Sequence, residues 1–255
     1  MRKKETLESI LVVMTFVIAL YGNKILNTFV SHHFATTFLE ISFTYLWWSL
    51  PTLLVLGVLY GFKNIFENLG LNKGFVTGLF FSIVAVSPML ISSAIIGKID
   101  DELDLGSLLY KTFVAGFFEE YLFRGFLFGV LFSKLKWGFI PASILGGLLF
   151  GMGHTYQGSS MVEMLGVFSI TAIGAIWFSW LYVEWDKNLW VPIFLHSFMN
   201  LSWALFDVSE NAMGGFYVNV FRALTIACTI IATIRYHKKR GLNIRKKNLI
   251  VHNHH

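Results

Sequence analysis

A short stretch of ionisable residues inside an apolar run restricts the fold of this chain more than any other feature. Glu119, Glu120 and Arg124 lie in the segment FFEEYLFR, which is otherwise surrounded by Phe, Leu, Gly and Val. An ionised side chain at bilayer depth costs several kcal/mol or more unless it is paired, hydrogen-bonded or faces a wet cavity. The chain must therefore fold so that other polar groups compensate this segment, which makes it a candidate functional site.

The composition indicates a membrane protein. Of the 255 residues, 55% are hydrophobic and 14% are charged, whereas roughly 25% charged residues are usual in soluble domains. The only cysteine, Cys228, excludes a disulfide framework and a thiolate metal site. The net charge of +5 does not indicate nucleic acid as a partner, because the basic residues collect at loops and at the C-terminus.

The apolar runs predict an all-α polytopic protein with about eight transmembrane helices. The first run has no small-x-small cleavage pattern near its end, so we interpret it as a retained span and not as a signal peptide. The runs cover roughly residues 7–30, 41–62, 75–97, 107–133, 137–154, 163–183, 189–206 and 216–235.

The basic residues predict that both termini are cytoplasmic. With this orientation the outer segments hold only Lys98, among the acidic residues Asp100, Asp101, Glu102 and Asp104. The positive-inside rule is then obeyed at every turn. The inner segments carry Arg2, Lys3, Lys4, Lys63, Lys73, Lys134, Lys136, Lys187 and the basic tail from Arg235 to Lys247, which we expect to be flexible.

Helical spacing separates the two glutamates. Glu120 and Arg124 are four residues apart, with the acid nearer the N-terminus, which is the better order for an ion pair on one helix face. Glu119 points about 100° away from that face. The spacing therefore predicts that Glu120 and Arg124 neutralise each other, and that Glu119 presents a free carboxylate to a cavity.

Two further pairs of residues, each with a histidine, have the same spacing of four residues. Phe150 and His154 close one apolar run, and His196 and Asn200 lie in another, each pair on one helix face. Glu119 could act as a general base on a water that His154 shares, while His196 and Asn200 donate hydrogen bonds to an oxyanion. Alternatively, the carboxylate and the two imidazoles could hold a zinc ion that activates the water.

The three motifs resemble the signature of a known family, the CAAX prenyl protease and bacteriocin-processing (Abi or CPBP) intramembrane endopeptidases. The resemblance implies an eight-helix-type membrane endopeptidase in which the glutamate and a histidine activate water and the last histidine and asparagine form an oxyanion hole. It covers about residues 107–206 and is carried by Glu119-Glu120-x-x-x-Arg124, Phe150-x-x-x-His154 and His196-x-x-x-Asn200.

On this resemblance, Glu119, His154, His196 and Asn200 match the catalytic positions, whereas Glu120 and Arg124 match accompanying ones. Members are described both as metalloproteases and as metal-independent glutamic proteases. We favour the metal-free form, without a cofactor, because a carboxamide is a poor zinc ligand. The substrate would be a membrane-associated peptide or protein in the bilayer, and the basic start of the chain favours a bacterial plasma membrane.

The motifs suggest a division into N-terminal helices (1–106), a catalytic core (107–206), and a last helix with a basic cytoplasmic tail (207–255). An alternative function is a non-enzymatic membrane immunity or regulatory protein that binds a membrane partner and keeps the polar cluster for folding. A small transporter with a proton-relay carboxylate is disfavoured because the sequence shows no repeat symmetry.

Overall fold

The structure is a computed structural model that describes residues 3–29, 37–99, 104–206, 208–209 and 211–251. Over these ranges it is built from helices and contains no β-strand, so the all-α prediction is confirmed. The helices are α1 (Lys3–Phe29), α2 (Thr37–Tyr60), α3 (Ile65–Leu69), α4 (Phe75–Ile96), α5 (residues 105–133), α6 (Phe139–His154), α7 (Met161–Glu184), α8 (Trp190–Ala204) and α9 (Phe216–His237). Helix α5 joins several consecutive helical segments, of which Leu105–Leu109 is the first and Gly129–Ser133 the last.

Each of the eight predicted apolar runs falls on one long helix of the described chain. Five of these helices, α1, α2, α4, α7 and α9, contain a stretch that is long and apolar enough to cross a membrane by length and composition. The protein is therefore a multi-pass membrane protein. Helices α6 and α8 have 16 and 15 residues, and α5 carries the charged motif. The count of eight spans and the orientation of the termini remain predictions.

Helix α5 is the central helix of the bundle. Every residue from Glu120 to Phe132 on α5 is buried. The helix is continuous but contains two π-helical segments, Tyr110–Val114 and Tyr121–Phe128. Such widened turns are often found at functional sites, and the second one begins directly after Glu120. The charged motif therefore lies at the start of the longest buried run in the described part of the chain.

The start of α5 is capped by a carboxylate. Asp104 accepts hydrogen bonds from the backbone N–H groups of Gly106 and Ser107, at 2.8 and 3.1 Å. The Ser107 hydroxyl also donates to this carboxylate, and these bonds hold the pKa of Asp104 below its ordinary value. This cap satisfies two of the N–H groups that a helix start leaves without intrahelical partners.

Apolar side chains from α1, α2, α6 and α7 surround α5. The ring of Phe123 on α5 meets Phe16 of α1 edge-on at 5.0 Å and Phe150 of α6 edge-on at 4.9 Å. Tyr182 of α7 packs edge-on against Phe128 at 6.2 Å. Edge-to-face aromatic pairs add stabilisation beyond the area that they bury, so these contacts help to fix the helix that carries the charged motif.

The chain segment after α9 is bonded to the helix bundle, in contrast to the flexible tail expected from the sequence. Glu184, at the end of α7, accepts hydrogen bonds from the backbone N–H groups of Asn243 and Ile244 at 2.8 and 3.0 Å. Gly138 donates its backbone N–H to the carbonyl of Ile250 at 3.0 Å. These bonds hold the segment as far as Val251.

Some sequence predictions concern residues outside the described ranges. They include the acidic loop residues Asp100, Asp101 and Glu102, the terminal residues from 252 to 255, and Arg2. The division of the chain into the parts 1–106, 107–206 and 207–255 also remains a prediction.

Candidate active site

Three helices bring the motif residues Glu119, His154 and His196 together. The Oε2 atom of Glu119 lies 3.9 Å from Nε2 of His154 and 3.9 Å from Nε2 of His196. These distances are too long for direct hydrogen bonds. The same Oε2 atom is buried and accepts no hydrogen bond from the described residues. A buried carboxylate oxygen without a partner requires an explanation, and here two imidazole nitrogens face it.

The convergence of Glu119 and His154 follows from simple helix geometry. Helix α5 ends at Ser133 and α6 starts at Phe139, so the two helices run in opposite directions along the bundle. At 1.5 Å per residue, Glu119 lies about 21 Å before the end of α5, and His154 lies about 22 Å after the start of α6. The two side chains therefore lie at the same height along the helix axes, although His154 is the last residue of its helix.

Glu120 and Arg124 form the ion pair that their spacing predicts. Nη1 of Arg124 lies 3.0 Å from Oε1 of Glu120, and both side chains are fully enclosed, at 1% and 0% exposure. The same Oε1 atom lies 2.7 Å from Nδ1 of His196. Glu120 therefore has a second partner that the sequence did not reveal, since His196 is 76 residues away along the chain. Its carboxylate orients a histidine as well as neutralising an arginine.

The hydrogen bonds of the two histidines indicate which ring nitrogen carries the hydrogen atom. Nδ1 of His154 lies 2.8 Å from the backbone carbonyl of Phe150, and because a carbonyl only accepts, Nδ1 carries the hydrogen. Nδ1 of His196 faces the Glu120 carboxylate in the same way. Both histidines therefore point Nε2 towards Glu119, where a neutral ring presents a lone pair and an imidazolium presents an N–H group.

Two phenylalanines enclose the Arg124 guanidinium. Its Cζ atom lies 4.6 Å from the ring centre of Phe150 and 5.2 Å from that of Phe178. Each phenylalanine also contacts one histidine: the Phe150 ring lies tilted against His154 at 4.3 Å, and Phe178 stacks on His196 at 5.7 Å. Cation–π attraction and these ring contacts therefore join Arg124 to both histidines.

Phe178 was not identified from the sequence. It lies within the apolar run of α7 and has no polar residue at helical spacing that would distinguish it from the other phenylalanines of the chain. Only its contacts with Arg124 and His196 reveal it.

Asn200 lies one helical turn beyond His196 on α8. Its Nδ2 atom donates a hydrogen bond to the backbone carbonyl of Lys111, at 3.1 Å. Lys111 belongs to the first π-helical segment of α5. One of the two N–H groups of this carboxamide is therefore engaged, while the second and the carbonyl oxygen are left for other partners.

Helices α5 and α8 approach each other closely beside the site. A Cβ atom placed on Gly116 would lie 2.6 Å from the Ser197 hydroxyl oxygen, which is closer than real Cβ contacts. Small residues permit such close packing of membrane helices. The absence of a side chain at Gly116 therefore allows α8 to bring His196 near the glutamates.

The site is partly open to its surroundings. The side chains of Glu119, His154 and His196 are 19%, 20% and 12% exposed, although the Oε2 atom of Glu119 is itself buried. Two cavities elsewhere in the described structure, of about 250 and 570 Å³, are not lined by these residues. The larger one is apolar and lies between α4, α7 and α9. Neither cavity contains an ionisable side chain from the three motifs, so the candidate site is defined by the contacts between its polar side chains.

The distances between the candidate ligands are longer than those in a formed zinc site. Neighbouring ligands of a tetrahedral zinc ion lie about 3.3 Å apart when the bonds are about 2.0–2.1 Å long, whereas Glu119 lies 3.9 Å from each histidine nitrogen. Within the described part of the chain, no group of three or more His, Cys, Asp or Glu side chains is arranged to hold a metal. The metal-free form of the site and the zinc alternative both remain predictions.

Two comparisons with known proteins agree with the resemblance noted from the motifs. Residues 101–202 match the family described as "Type II CAAX prenyl endopeptidase Rce1-like". This matched segment contains all three motifs, so the resemblance to CAAX-type membrane endopeptidases is confirmed.

A curated relative also matches. The protein "Putative membrane peptidase YdiL" of Bacillus subtilis (strain 168) is 31% identical over 93 residues, which are 36% of this chain and 34% of that protein. The match thus spans about one third of the relative's length.

Proposed function

We propose that this protein is an intramembrane endopeptidase that hydrolyses a peptide bond in a membrane-associated peptide or protein. One observation carries the proposal: a buried carboxylate oxygen of Glu119, without a hydrogen bond from the described residues, lies equally far from two imidazole nitrogens. The match of residues 101–202 to the CAAX prenyl endopeptidase family supports it.

In this proposal Glu119 is the general base. A water molecule within hydrogen-bond reach of Oε2 of Glu119 and Nε2 of His154 gives a proton to the carboxylate, and its oxygen forms a bond to the peptide carbonyl carbon. The tetrahedral intermediate then collapses, the C–N bond breaks, and the proton on Glu119 passes to the leaving amine. The products are one carboxylic acid and one amine, so the consumed water balances the reaction.

His196 and Asn200 stabilise the oxyanion in the proposed reaction. His196 can donate from Nε2 only as an imidazolium, because its Nδ1 hydrogen already points at Glu120. Together, the carboxylates of Glu119 and Glu120 balance the positive charges of Arg124 and of this imidazolium. Asn200 adds the N–H group that Lys111 does not use. Donors fixed in a site of low dielectric are typically the largest contribution to such catalysis.

The substrate class follows from the membrane location and from the family match. The name of the matched family refers to prenyl endopeptidases, so C-terminally prenylated peptides are one group to test, and leader peptides of secreted peptides are another. We expect the cleaved peptide bond to lie close to the membrane, because the site lies within a multi-pass helix bundle.

The test uses purified protein reconstituted into vesicles with both groups of peptides. We expect wild type to cleave at least one peptide with and without a metal chelator, and Glu119→Gln to be inactive. Glu67→Gln is the matched control, because Glu67 is exposed on the short helix α3. Cleavage by Glu119→Gln at the wild-type rate would refute the role of Glu119 and favour a binding function. Loss of wild-type cleavage with the chelator would refute the metal-free mechanism.

A further inference from the structure

Three lysines gather at one end of the bundle. Lys73 lies in the loop before α4, Lys134 directly follows α5, and Lys187 lies in the loop between α7 and α8. Lys134 also places its ammonium group over the ring of Tyr60, at 5.5 Å, where α2 ends. The three lysines thus come from three separate segments at the end of the bundle where α2, α5 and α7 end and α4 begins.

Backbone contacts fix the loops of Lys73 and Lys187 side by side. The N–H of Leu189 donates to the carbonyl of Gly70 at 2.9 Å, and the Asn188 side chain donates to the carbonyl of Gly74 at 3.0 Å. Gly70 has a φ of +79°, and a Cβ atom there would lie 1.9 Å from the carbonyl oxygen of Lys187. Any other residue at position 70 would separate the two loops, so their proximity is built into the fold.

These three lysines lack the acidic partners that nearby lysines have. Lys136 pairs with Glu5 at 2.9 Å, and Lys4 pairs with Glu8 at 3.7 Å. In the described parts of the chain, no Asp or Glu lies within ion-pair distance of Lys73, Lys134 or Lys187. Asp186, next to Lys187, instead accepts a hydrogen bond from Asn243 at 3.3 Å.

The gathering of like charges is unfavourable without an anion. Partial desolvation first, and then the charges of Lys134 and Lys73, lower the pKa of Lys187, although this residue is exposed at the surface. Each of these effects penalises the charged amine. A bound anion would remove the repulsion and replace part of the lost hydration, because a phosphate group can accept hydrogen bonds from several ammonium groups at once.

We propose that Lys73, Lys134 and Lys187 form a binding site for the phosphate of an anionic phospholipid head group. The location favours lipid as the source, because the three lysines flank the ends of α4, α5 and α7, and α4 and α7 are candidate membrane spans. Aromatic side chains typical of a membrane interface lie beside the site: the Tyr60 ring under Lys134, and Trp190, whose indole N–H donates to the carbonyl of Leu71 at 3.0 Å.

The experiment titrates detergent-solubilised protein with phosphatidylglycerol or phosphatidylcholine and counts retained lipid by native mass spectrometry. We expect preferential retention of phosphatidylglycerol, a loss of affinity of about fivefold for each single Lys→Gln change at the three positions, and additive loss in the triple variant. Lys136→Gln is the matched control, since that lysine is already paired with Glu5, and should keep the wild-type preference.

Three results would overturn the proposal. One is equal retention of phosphatidylglycerol by wild type and the triple Lys→Gln variant. Another is an equal loss in Lys136→Gln, which would indicate general surface charge instead of a site. The third is displacement of the lipid by inorganic phosphate at equal concentration, which would assign the site to a free anion. If the triple Lys→Gln variant fails to fold, a triple Lys→Arg variant provides the test. It keeps the three positive charges, so loss of its preference for phosphatidylglycerol would also overturn the proposal.

Discussion

Two buried glutamates in the described part of the chain have histidine partners, and they differ in how many of their carboxylate oxygens accept hydrogen bonds. Glu184 and Glu120 are both fully enclosed. Glu184 accepts from two backbone N–H groups, one on each carboxylate oxygen, and His237 lies 3.5 Å away. Glu120 uses only Oε1, for both Arg124 and His196, and its Oε2 accepts no hydrogen bond from the described residues.

The difference distinguishes a structural carboxylate from one in a reactive environment. Every oxygen of Glu184 is engaged by the segment after α9, so this carboxylate serves as an anchor for that segment. In the motif region, Glu119 Oε2, Glu120 Oε2 and Arg124 Nη2 all lack hydrogen-bond partners among the described residues. Buried polar groups without partners are costly in a low-dielectric interior. Among the described residues, three of the four such groups on charged side chains lie where the proposed reaction takes place.

The largest effect is expected for Glu119→Gln. The change keeps the shape of the side chain but removes the base, so cleavage should fall about a hundredfold or more. The unfolding midpoint should stay close to wild type, because Glu119 Oε2 has no hydrogen bond to lose among the described residues. Parallel rate and thermal-unfolding measurements in detergent check this. A large drop in the midpoint would show that Glu119 is a structural carboxylate like Glu184.

Arg124→Ala should have the largest effect on stability. It breaks a buried ion pair and leaves the Glu120 carboxylate with His196 as its remaining partner, which typically costs about 3–5 kcal/mol. The yield of folded protein and its resistance to denaturant should both fall. Lys136→Ala, which removes a partly exposed partner of Glu5, should cost no more than about 1 kcal/mol. Equal behaviour of these two variants would show that Glu120 does not depend on Arg124.

Glu184→Gln should affect stability but not chemistry. An amide can accept from only one side, so one backbone N–H of Asn243 or Ile244 loses its partner, at a cost of about 1–3 kcal/mol. Protease protection of the segment 241–251 should decrease, whereas the cleavage rate of folded protein should remain that of wild type. A loss of cleavage with the segment still protected would contradict the anchor role.

Phe178→Leu should have the smallest effect. It removes the ring that stacks on His196 and faces Arg124, with a loss of about 0.5–2 kcal/mol of cation–π attraction. We expect a lower kcat with little change in KM, since the ring positions His196 without touching the substrate. Phe216→Leu, at an exposed phenylalanine, serves as the control, and an equal fall of kcat in both variants would remove Phe178 from this role.

The sequence by itself determined the class of the protein and the positions of its motifs. Hydropathy and helical periodicity depend on neighbouring residues, so the long helices and the Glu120–Arg124 pair could be predicted from local spacing alone. The three motifs also identified the residues that meet at the candidate site, although their catalytic roles remain proposals.

Only the tertiary structure decided which partners meet across helices. The contact of Glu120 with His196, the position of Phe178 against His196, and the attachment of Asn243 to Glu184 join residues that are 76, 18 and 59 positions apart. No local pattern encodes such pairs, because they depend on how neighbouring helices pack. For the same reason, local sequence could not show that the buried Oε2 atom of Glu119 has no hydrogen-bond donor among the described residues.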